Sequence, residues 1–269
     1  MKKSNLPTCS LIISTYNWPD ALNLCLKSCL RQTIFPNEII IADDGSKKET
    51  KNLVEKYMAE FPNLIQYIWQ EDIGFRLSRI RNKAILASKS DYIIQIDGDV
   101  ILDKYFIEDH LTIAEEKYFV CGSRATLPEE YSKEVLKKKT IKPNRLKIPL
   151  SHFLNSFRIP FITKKMATRY QEGKLLSLRG CNMSFWRKDI VAINGYNENY
   201  QGWGHEDAEM VVRLHNRGIK KRSLKFGGIV YHIYHKINTK ENEAKNFEML
   251  NTALRNKIIW CENGLQKAD

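Results

Sequence analysis

No apolar run in this chain approaches the ~20 residues that crossing a bilayer requires. The start of the chain, Met1-Lys2-Lys3 followed by Leu11-Ile12-Ile13, carries the charge of a secretory leader, but its apolar core is far too short. A cytoplasmic protein is expected. The six cysteines are irregularly spaced and form no C-x-x-C pair, which excludes the common zinc and dithiol motifs. Cys25 and Cys29 stand one helical turn apart, yet two such ligands without nearby partners make no metal site. Glycine-rich phosphate loops are missing too. There is neither G-x-G-x-x-G nor G-x-x-x-x-G-K, which counts against a dinucleotide enzyme or a P-loop NTPase. Internal repeats, low-complexity tracts and obvious linkers are also absent, so one domain spanning 1–269 is expected.

What is present in excess is positive charge. Hydrophobic residues at 43% and charged residues at 28% are ordinary for a globular protein, but the net charge is +12. Such a balance suits polyanions: nucleic acid, anionic lipid or phosphorylated substrates. Scattered lysines are usually only a solvated surface. Here Lys137, Lys138, Lys139, Lys142, Arg145 and Lys147 form a local cluster, which points to peripheral contact with anionic headgroups at the inner face of a membrane. No nucleic-acid partner is expected.

The first half alternates short β-branched runs with helical patterns. Strands are predicted over Ser10–Ser14, Glu38–Ala42, Leu64–Trp69 and Tyr92–Ile96. Helices are predicted from Pro19 to Gln32, from Glu49 to Glu60, and from a Ser78 cap to about Ser88. This alternation predicts an α/β fold with a parallel sheet and helices on both faces. Ligands of such sheets gather at the carboxyl ends of the strands, and the polar clusters lie at those ends. The second half is less regular. Glu129–Lys139 is helical, and Asn144–Gln171 mixes basic and aromatic residues without a period. Cys181–Trp186 and Gly227–His235 are predicted strands. A loop over Gly195–Gly204 leads to a helix from about His205, and Glu241–Trp260 is a closing helix.

Four constellations carry candidate chemistry. In Asp97-Gly98-Asp99 the two carboxylates are two residues apart on an extended segment, so both can aim at one hard cation that neutralises a leaving diphosphate. Ser14-Thr15-Tyr16-Asn17 and Asp43-Asp44 end two strands that should be neighbours. A tyrosine there can stack on a base and a carboxylate can accept from its imino N–H, although Asp44-Gly45-Ser46 would also serve as a plain turn. Without a phosphate loop, a metal and arginines must hold any diphosphate, and Arg76, Arg79 and Arg81 are the candidates. In Gly202-Trp203-Gly204-His205-Glu206-Asp207-Ala208-Glu209, acidic residues of a first helical turn complement the helix dipole, which covers Glu206 or Glu209. A tryptophan bracketed by glycines asks for more: an aromatic platform for a sugar, beside a carboxylate able to act as general base. In Tyr231-His232-Ile233-Tyr234-His235, His235 is the first candidate metal ligand and His232 the second. Residues three apart on an ideal strand face opposite ways, so both reach one ion only if the strand bends.

Assembled, these residues resemble the family 2 glycosyltransferases of the GT-A fold. The resemblance runs from Leu11 to about Leu102 through Ser14-Thr15-Tyr16-Asn17, Ile41-Ala42-Asp43-Asp44-Gly45-Ser46, Arg81-Asn82-Lys83-Ala84 and Asp97-Gly98-Asp99. The stretch from Arg179-Gly180-Cys181-Asn182 through His235 is similar to the carboxyl-terminal region of β-1,4-galactosyltransferases, with Gly202-Trp203-Gly204-His205-Glu206-Asp207 its most specific element. The resemblance implies a Rossmann-like, mostly parallel sheet flanked by helices, with a nucleotide-sugar half over 1–122 and an acceptor half over 123–269 that ends in the closing helix. It also implies roles. Tyr16 and Asp44 would hold the nucleobase, lined by Ser14, Thr15 and Asp43, and Arg81 would support the donor. Asp99 would ligate Mn2+ or Mg2+, with Asp97 on ribose or metal. Trp203 and Glu206 would face the acceptor, and Asp207 would be the base of a single, inverting displacement. His232 and His235 match a Met-x-x-His metal element, with a histidine departing from the methionine. The implied activity moves galactose or N-acetylgalactosamine from a UDP-sugar to a glycan hydroxyl in bacterial surface polysaccharide or lipooligosaccharide synthesis. The net charge of +12 and the Lys137–Lys147 cluster point to a glycan borne on a lipid or other carrier at the inner face of the membrane.

Two other classes compete. A nucleotidyltransferase making a nucleotide sugar would want a glycine-rich segment with a cation near its N-terminus, and none is present. A non-catalytic carbohydrate- or polyanion-binding protein would suit the charge and the 12 tyrosines, but would not need Asp97, Asp99 and Asp207 at separate element ends.

Overall fold

The computed structural model describes residues 6–167, 175–236 and 241–267. The Met1–Lys3 charge and the last four residues of the aperiodic Asn144–Gln171 stretch lie outside them. A seven-stranded sheet forms the centre. Its strands are β1 (Cys9–Thr15), β2 (Glu38–Asp43), β3 (Ile65–Trp69), β4 (Tyr92–Asp97), β6 (Tyr118–Gly122), β8 (Asn182–Trp186) and β9 (Lys220–Leu224). Their order is β3-β2-β1-β4-β8-β6-β9. The β1–β2, β2–β3, β1–β4 and β6–β9 pairs are parallel. Only β8 runs against its neighbours β4 and β6. The expected mostly parallel sheet flanked by helices is the architecture observed.

Alternation along continuous apolar strands explains the two faces. Leu11 and Ile13, Ile39 and Ile41, and Ile94 and Ile96 face one core, with Leu22, Leu26 and Cys29 of α1 (Pro19–Cys29) and Val54 and Tyr57 of α2 (Lys48–Glu60). Ile12, Ile40 and Ile93 point the other way, onto Ile80 and Ala84 of α3 (Leu77–Ala87) and Met210 and Val211 of α9 (Glu206–Asn216). A strand buried on both sides reads as an unbroken apolar run because both residue parities meet a core.

A second, three-stranded sheet, β5 (Val100–Leu102), β10 (Val230–His232) and β7 (Ala125–Thr126), lies in the order β5-β10-β7. Here the predictions need correction. The strand expected over Gly227–His235 is regular only from Val230 to His232. The Ile233 N–H still donates to the Asp99 carbonyl at 2.9 Å, in register with the β5 pairing, and regular pairing stops before Tyr234 and His235. Inside the aperiodic stretch the chain forms two helices, α6 (Leu150–Phe153) and α7 (Pro160–Ala167). The helix α5 (Glu129–Lys138) matches its prediction, and the closing helix α10 is shorter, Glu243–Arg255. The helices α4 (Phe106–Ile113) and α8 (Arg187–Ala192) complete the set, and no helix among the described residues is long and apolar enough to cross a membrane.

Candidate active site

The parallel register brings the predicted polar clusters together. Thr15 pairs with Asp43 and Ser14 with Asp97, so the carboxyl ends of β1, β2 and β4 form one edge. Behind this edge lies Arg81 of α3, whose side chain is 1% exposed. Its Nε donates to Ser14 Oγ (3.2 Å), Nη2 to Asp97 Oδ1 (3.0 Å) and Nη1 to Asp207 Oδ1 (3.0 Å). Arginine's planar fork suits such multiple recognition. A guanidinium out of water needs compensation of several kcal/mol, and two carboxylates supply it. Arg81 therefore joins the end of β4 to the first turn of α9. Three of its five N–H groups make these bonds inside the protein.

Asp207 receives more than Arg81. Tyr196 Oη lies 2.8 Å from the same Oδ1 and 2.9 Å from Gln95 Oε1, its one hydroxyl proton within reach of both, and Gln95 Nε2 lies 3.4 Å from that Oδ1. The glycine of Arg179-Gly180-Cys181 leaves room for this carboxylate, since a Cβ at Gly180 would overlap Asp207 Oδ2. Sequence reasoning did not single out Gln95 and Tyr196. Gln95 had a signal: it is the one uncharged polar side chain inside the apolar strand Tyr92–Ile96. Tyr196 had none beyond its place after Asn194-Gly195.

Just before Asp207 the chain turns through left-handed backbone at Gly202 (φ 73°), Gly204 (φ 113°) and His205 (φ 72°). Glycine adopts such angles without strain, so Gly202 and Gly204 let Trp203 stand exposed between them. Glu206 is buried, and its Oε2 accepts from Gly204 N–H at 3.2 Å. Burial, and then the charge of Asp207, raise Glu206 to about 7. Glu209 is not the spare dipole acid its position suggested. It is buried and forks onto Arg213, with Nε to Oε1 at 2.7 Å and Nη2 to Oε2 at 2.8 Å.

Asp99 sits apart from Asp97. Its Oδ2 lies 3.1 Å from His235 Nε2 and 3.5 Å from His232 Nε2. Ligand atoms of Asp99, His232 and His235 fall within 4.8 Å of one another, and Asp97 is not in that group. The early end of β10 is what lets both histidines reach one carboxylate. Asp99 Oδ1 and His232 Nδ1 are buried with no hydrogen-bond partner. An unmet buried polar atom costs about 1–3 kcal/mol, a demand that metal coordination at this cluster would answer. Burial alone would raise Asp99, but the hydrogen bond with His235 and the charge of both imidazoles leave it below its ordinary range. Asp97 is pushed up to about 6, by burial first and against the pull of Arg81.

At the other end of the edge, Asp43 is buried and spends both oxygens on the fold, accepting from Ser46 N–H (2.7 Å) and Tyr67 Oη (2.7 Å). Asp44 accepts from Gln70 Nε2 (2.6 Å) and Arg76 N–H (2.8 Å), which fixes its plane, and burial raises it. Tyr16 is half exposed, with its hydroxyl on Asp72 (2.9 Å). Thr15 is buried beside Asp43 at the strand ends, and Arg79 is exposed on the opening turn of α3.

Two family models match the chain. The first, described as glycosyl transferase family 2, covers residues 10–191, well over half of the sequence. The second, described as the N-terminal domain of galactosyltransferase, covers 165–236 and contains the Gly202–Asp207 element. Among curated proteins, a chondroitin synthase of Escherichia coli is 26% identical over 248 residues, covering 83% of this chain and 34% of its own length. A validoxylamine A glucosyltransferase of Streptomyces hygroscopicus subsp. limoneus is 27% identical over 233 residues, covering 80% and 49%. The chain thus spans between about a third and a half of these relatives. Among solved structures, a mannosyltransferase of Pyrobaculum calidifontis in complex with GDP-Man and Mn2+ superposes with a TM-score of 0.60 at 15% identity, covering 87% of this chain and 59% of that one. At that identity the superposition shows the fold.

Proposed function

The chain belongs to glycosyl transferase family 2, and on that premise we propose that it transfers a hexose from a nucleotide diphosphate sugar to a glycan hydroxyl with inversion. The observation that carries this is the buried Arg81 bridge, which ties the strand-end carboxylate Asp97 to Asp207 beside the aromatic Trp203 turn. A single displacement needs one carboxylate near the acceptor and apart from the donor phosphates. Three donors converge on Asp207 Oδ1, which leaves Oδ2 to take the proton of the attacking hydroxyl. Glu206 and Trp203 would then bind the acceptor sugar.

On the donor side, Tyr16 would stack on the base and Asp44 would accept from its imino N–H, with Ser14, Thr15 and Asp43 as framework. Asp99, His235 and His232 would hold the divalent cation, which when bound supplies charge neutralisation to the departing diphosphate. Two imidazoles beside one carboxylate favour Mn2+ over Mg2+, whose preference is for oxygen and water. UDP is the proposed nucleotide, and galactose or N-acetylgalactosamine the proposed sugar, on the galactosyltransferase-like segment. The chondroitin synthase and validoxylamine glucosyltransferase similarities support glycan-like acceptors in general. We place the enzyme at the inner face of a bacterial membrane, acting on a lipid-carried glycan.

Calorimetry of UDP binding with and without Mn2+ tests the donor half, followed by a donor screen for released nucleotide. UDP should bind only with the metal, and Asp99→Ala should bind UDP poorly even when Mn2+ is present. Metal-independent binding, or far tighter binding of GDP than UDP, would overturn the assignment.

A further inference from the structure

The four most exposed large apolar side chains of the described residues all lie within one excursion between α5 and β8: Leu150 (88% exposed), Leu146 (84%), Phe161 (79%) and Leu154 (65%). Apolar residues scattered singly over a surface need no explanation, but this grouping does. The same excursion is depleted in negative charge. From Val135 to Gln171 the sequence contains no aspartate or glutamate, while Lys137, Lys139, Lys142, Arg145, Lys164 and Lys165 fall inside it. The acids that meet it come from neighbouring helices: Glu134 of α5 meets Lys138 at 2.7 Å and Lys147 at 2.5 Å, and Glu108 and Asp109 of α4 hold Arg158 at 3.1 and 2.8 Å. The exposed Glu134 pairs contribute little and exchange readily for other anions.

We propose that the segment from Leu146 to Phe161 docks on an anionic bilayer, with its exposed leucines and Phe161 entering the acyl boundary and the surrounding lysines resting on headgroups. Apolar side chains ringed by basic ones are the composition of an interfacial membrane segment. A second copy of the chain is a poorer occupant, because it would bring two like-charged surfaces together. The excursion is anchored to the sheet that carries the histidine cluster. Asn155 Nδ2 donates to the Arg124 carbonyl (3.0 Å) next to β7, and Arg145 Nε donates to Tyr231 Oη (3.5 Å), the residue before His232. Docking would therefore bring the bilayer close to β10 and to any acceptor borne on a lipid. That last consequence rests on the glycosyltransferase proposal; the docking itself does not.

The experiment is flotation of the full chain with vesicles of equal parts phosphatidylglycerol and phosphatidylcholine, and with phosphatidylcholine alone, at low and high salt. Wild type should float with the anionic vesicles only, and salt should weaken it because exposed charges are screened over ~10 Å at 0.1 M. Leu146→Asn/Leu150→Asn/Phe161→Asn changes only exposed positions, so it should keep the thermal midpoint and lose at least tenfold in vesicle affinity. Leu150→Cys carrying an environment-sensitive fluorophore gives a direct depth readout, since the six native cysteines are buried. Its emission should shift to the blue on anionic vesicles. Three results overturn the proposal: equal flotation of wild type with both vesicles, undiminished flotation of the triple variant, or a wild-type dimer in sedimentation that the triple variant dissolves. None of these readouts uses turnover, so a failed glycosyl-transfer assay leaves this test standing and the reverse holds as well.

Discussion

Arg81, Tyr196 and Gln95 reach Asp207 from three separate parts of the chain, and all three arrive at the same oxygen. A carboxylate so held cannot rotate freely, and its second oxygen is presented in one direction only. Asp207→Asn keeps the size and most of the hydrogen bonding while removing the proton acceptor. Turnover should fall by ~10²–10⁴-fold, with UDP affinity near wild type by calorimetry; near-normal turnover would move the base elsewhere. Gly180→Ala reaches the same group by steric means, because the added methyl overlaps Asp207 Oδ2. A displacement of this kind should cost roughly 10²-fold in kcat with donor affinity retained. Glu206 gives a pH signature. Burial and Asp207 raise it from 4.5 to about 7 on folding, so between these values the folded chain holds a proton the unfolded chain has lost. Stability from this group is therefore full below about 4.5 and falls as pH rises towards 7. Glu206→Gln cannot titrate. The wild-type thermal midpoint minus that of the variant should decline across this window, and a flat or rising difference would refute the burial argument.

α9 is seated by one buried arginine. Arg213 forks onto Glu209 and also donates to the carbonyls of Ile193 (2.6 Å) and Gly195 (2.7 Å), the turn that delivers Tyr196 to Asp207. Arg213→Leu would strand the buried Glu209 charge, a loss of about 3–5 kcal/mol, or roughly 10 °C in thermal midpoint. The double variant Arg213→Leu/Glu209→Leu should be milder by calorimetry, since no uncompensated charge remains; a double variant worse than the single one would show that the carbonyl contacts dominate. How legible such elements were depended on whether their burial is apolar. β1 through β4 and the helices between them could be read because their strands are unbroken apolar runs facing two cores. β9, Lys-Lys-Arg-Ser-Leu, could not: Lys221 and Arg222 are buried there, so the pattern reads as surface. β5 and β7, at three and two residues, are too short for any period. In the site, the strand-end clusters were visible, whereas the pairing of Arg81 with both Asp97 and Asp207 is a contact between distant segments that no local pattern encodes. The bend that brings His235 to Asp99 was anticipated only as a condition on the strand.

Over the whole molecule, the division at residue 122 meets an obstacle in the sheet order. β6 ends at Gly122, yet its two neighbours are β8 and β9, both from the second half. β8 is in turn the cover for the exposed side of β4, running antiparallel from Tyr92↔Trp186 to Ile96↔Asn182. A chain cut after Gly122 would thus leave β6 with no partner and β4 with a bare, apolar edge, the kind of edge that templates aggregation. It would also lose Met183, Phe185, Met210 and Val211 from the core on the α3 face. The nucleotide half and the acceptor half are therefore proposed to be two functional regions of one cooperative unit. Calorimetric unfolding of the full chain should give a single transition in which calorimetric and van't Hoff enthalpies agree. The fragment 1–122 should be insoluble or lack a cooperative transition. Two resolved transitions in the full chain, or a fragment that melts cooperatively on its own, would mean that the first four strands and their helices suffice as a core and that β6 is dispensable to them.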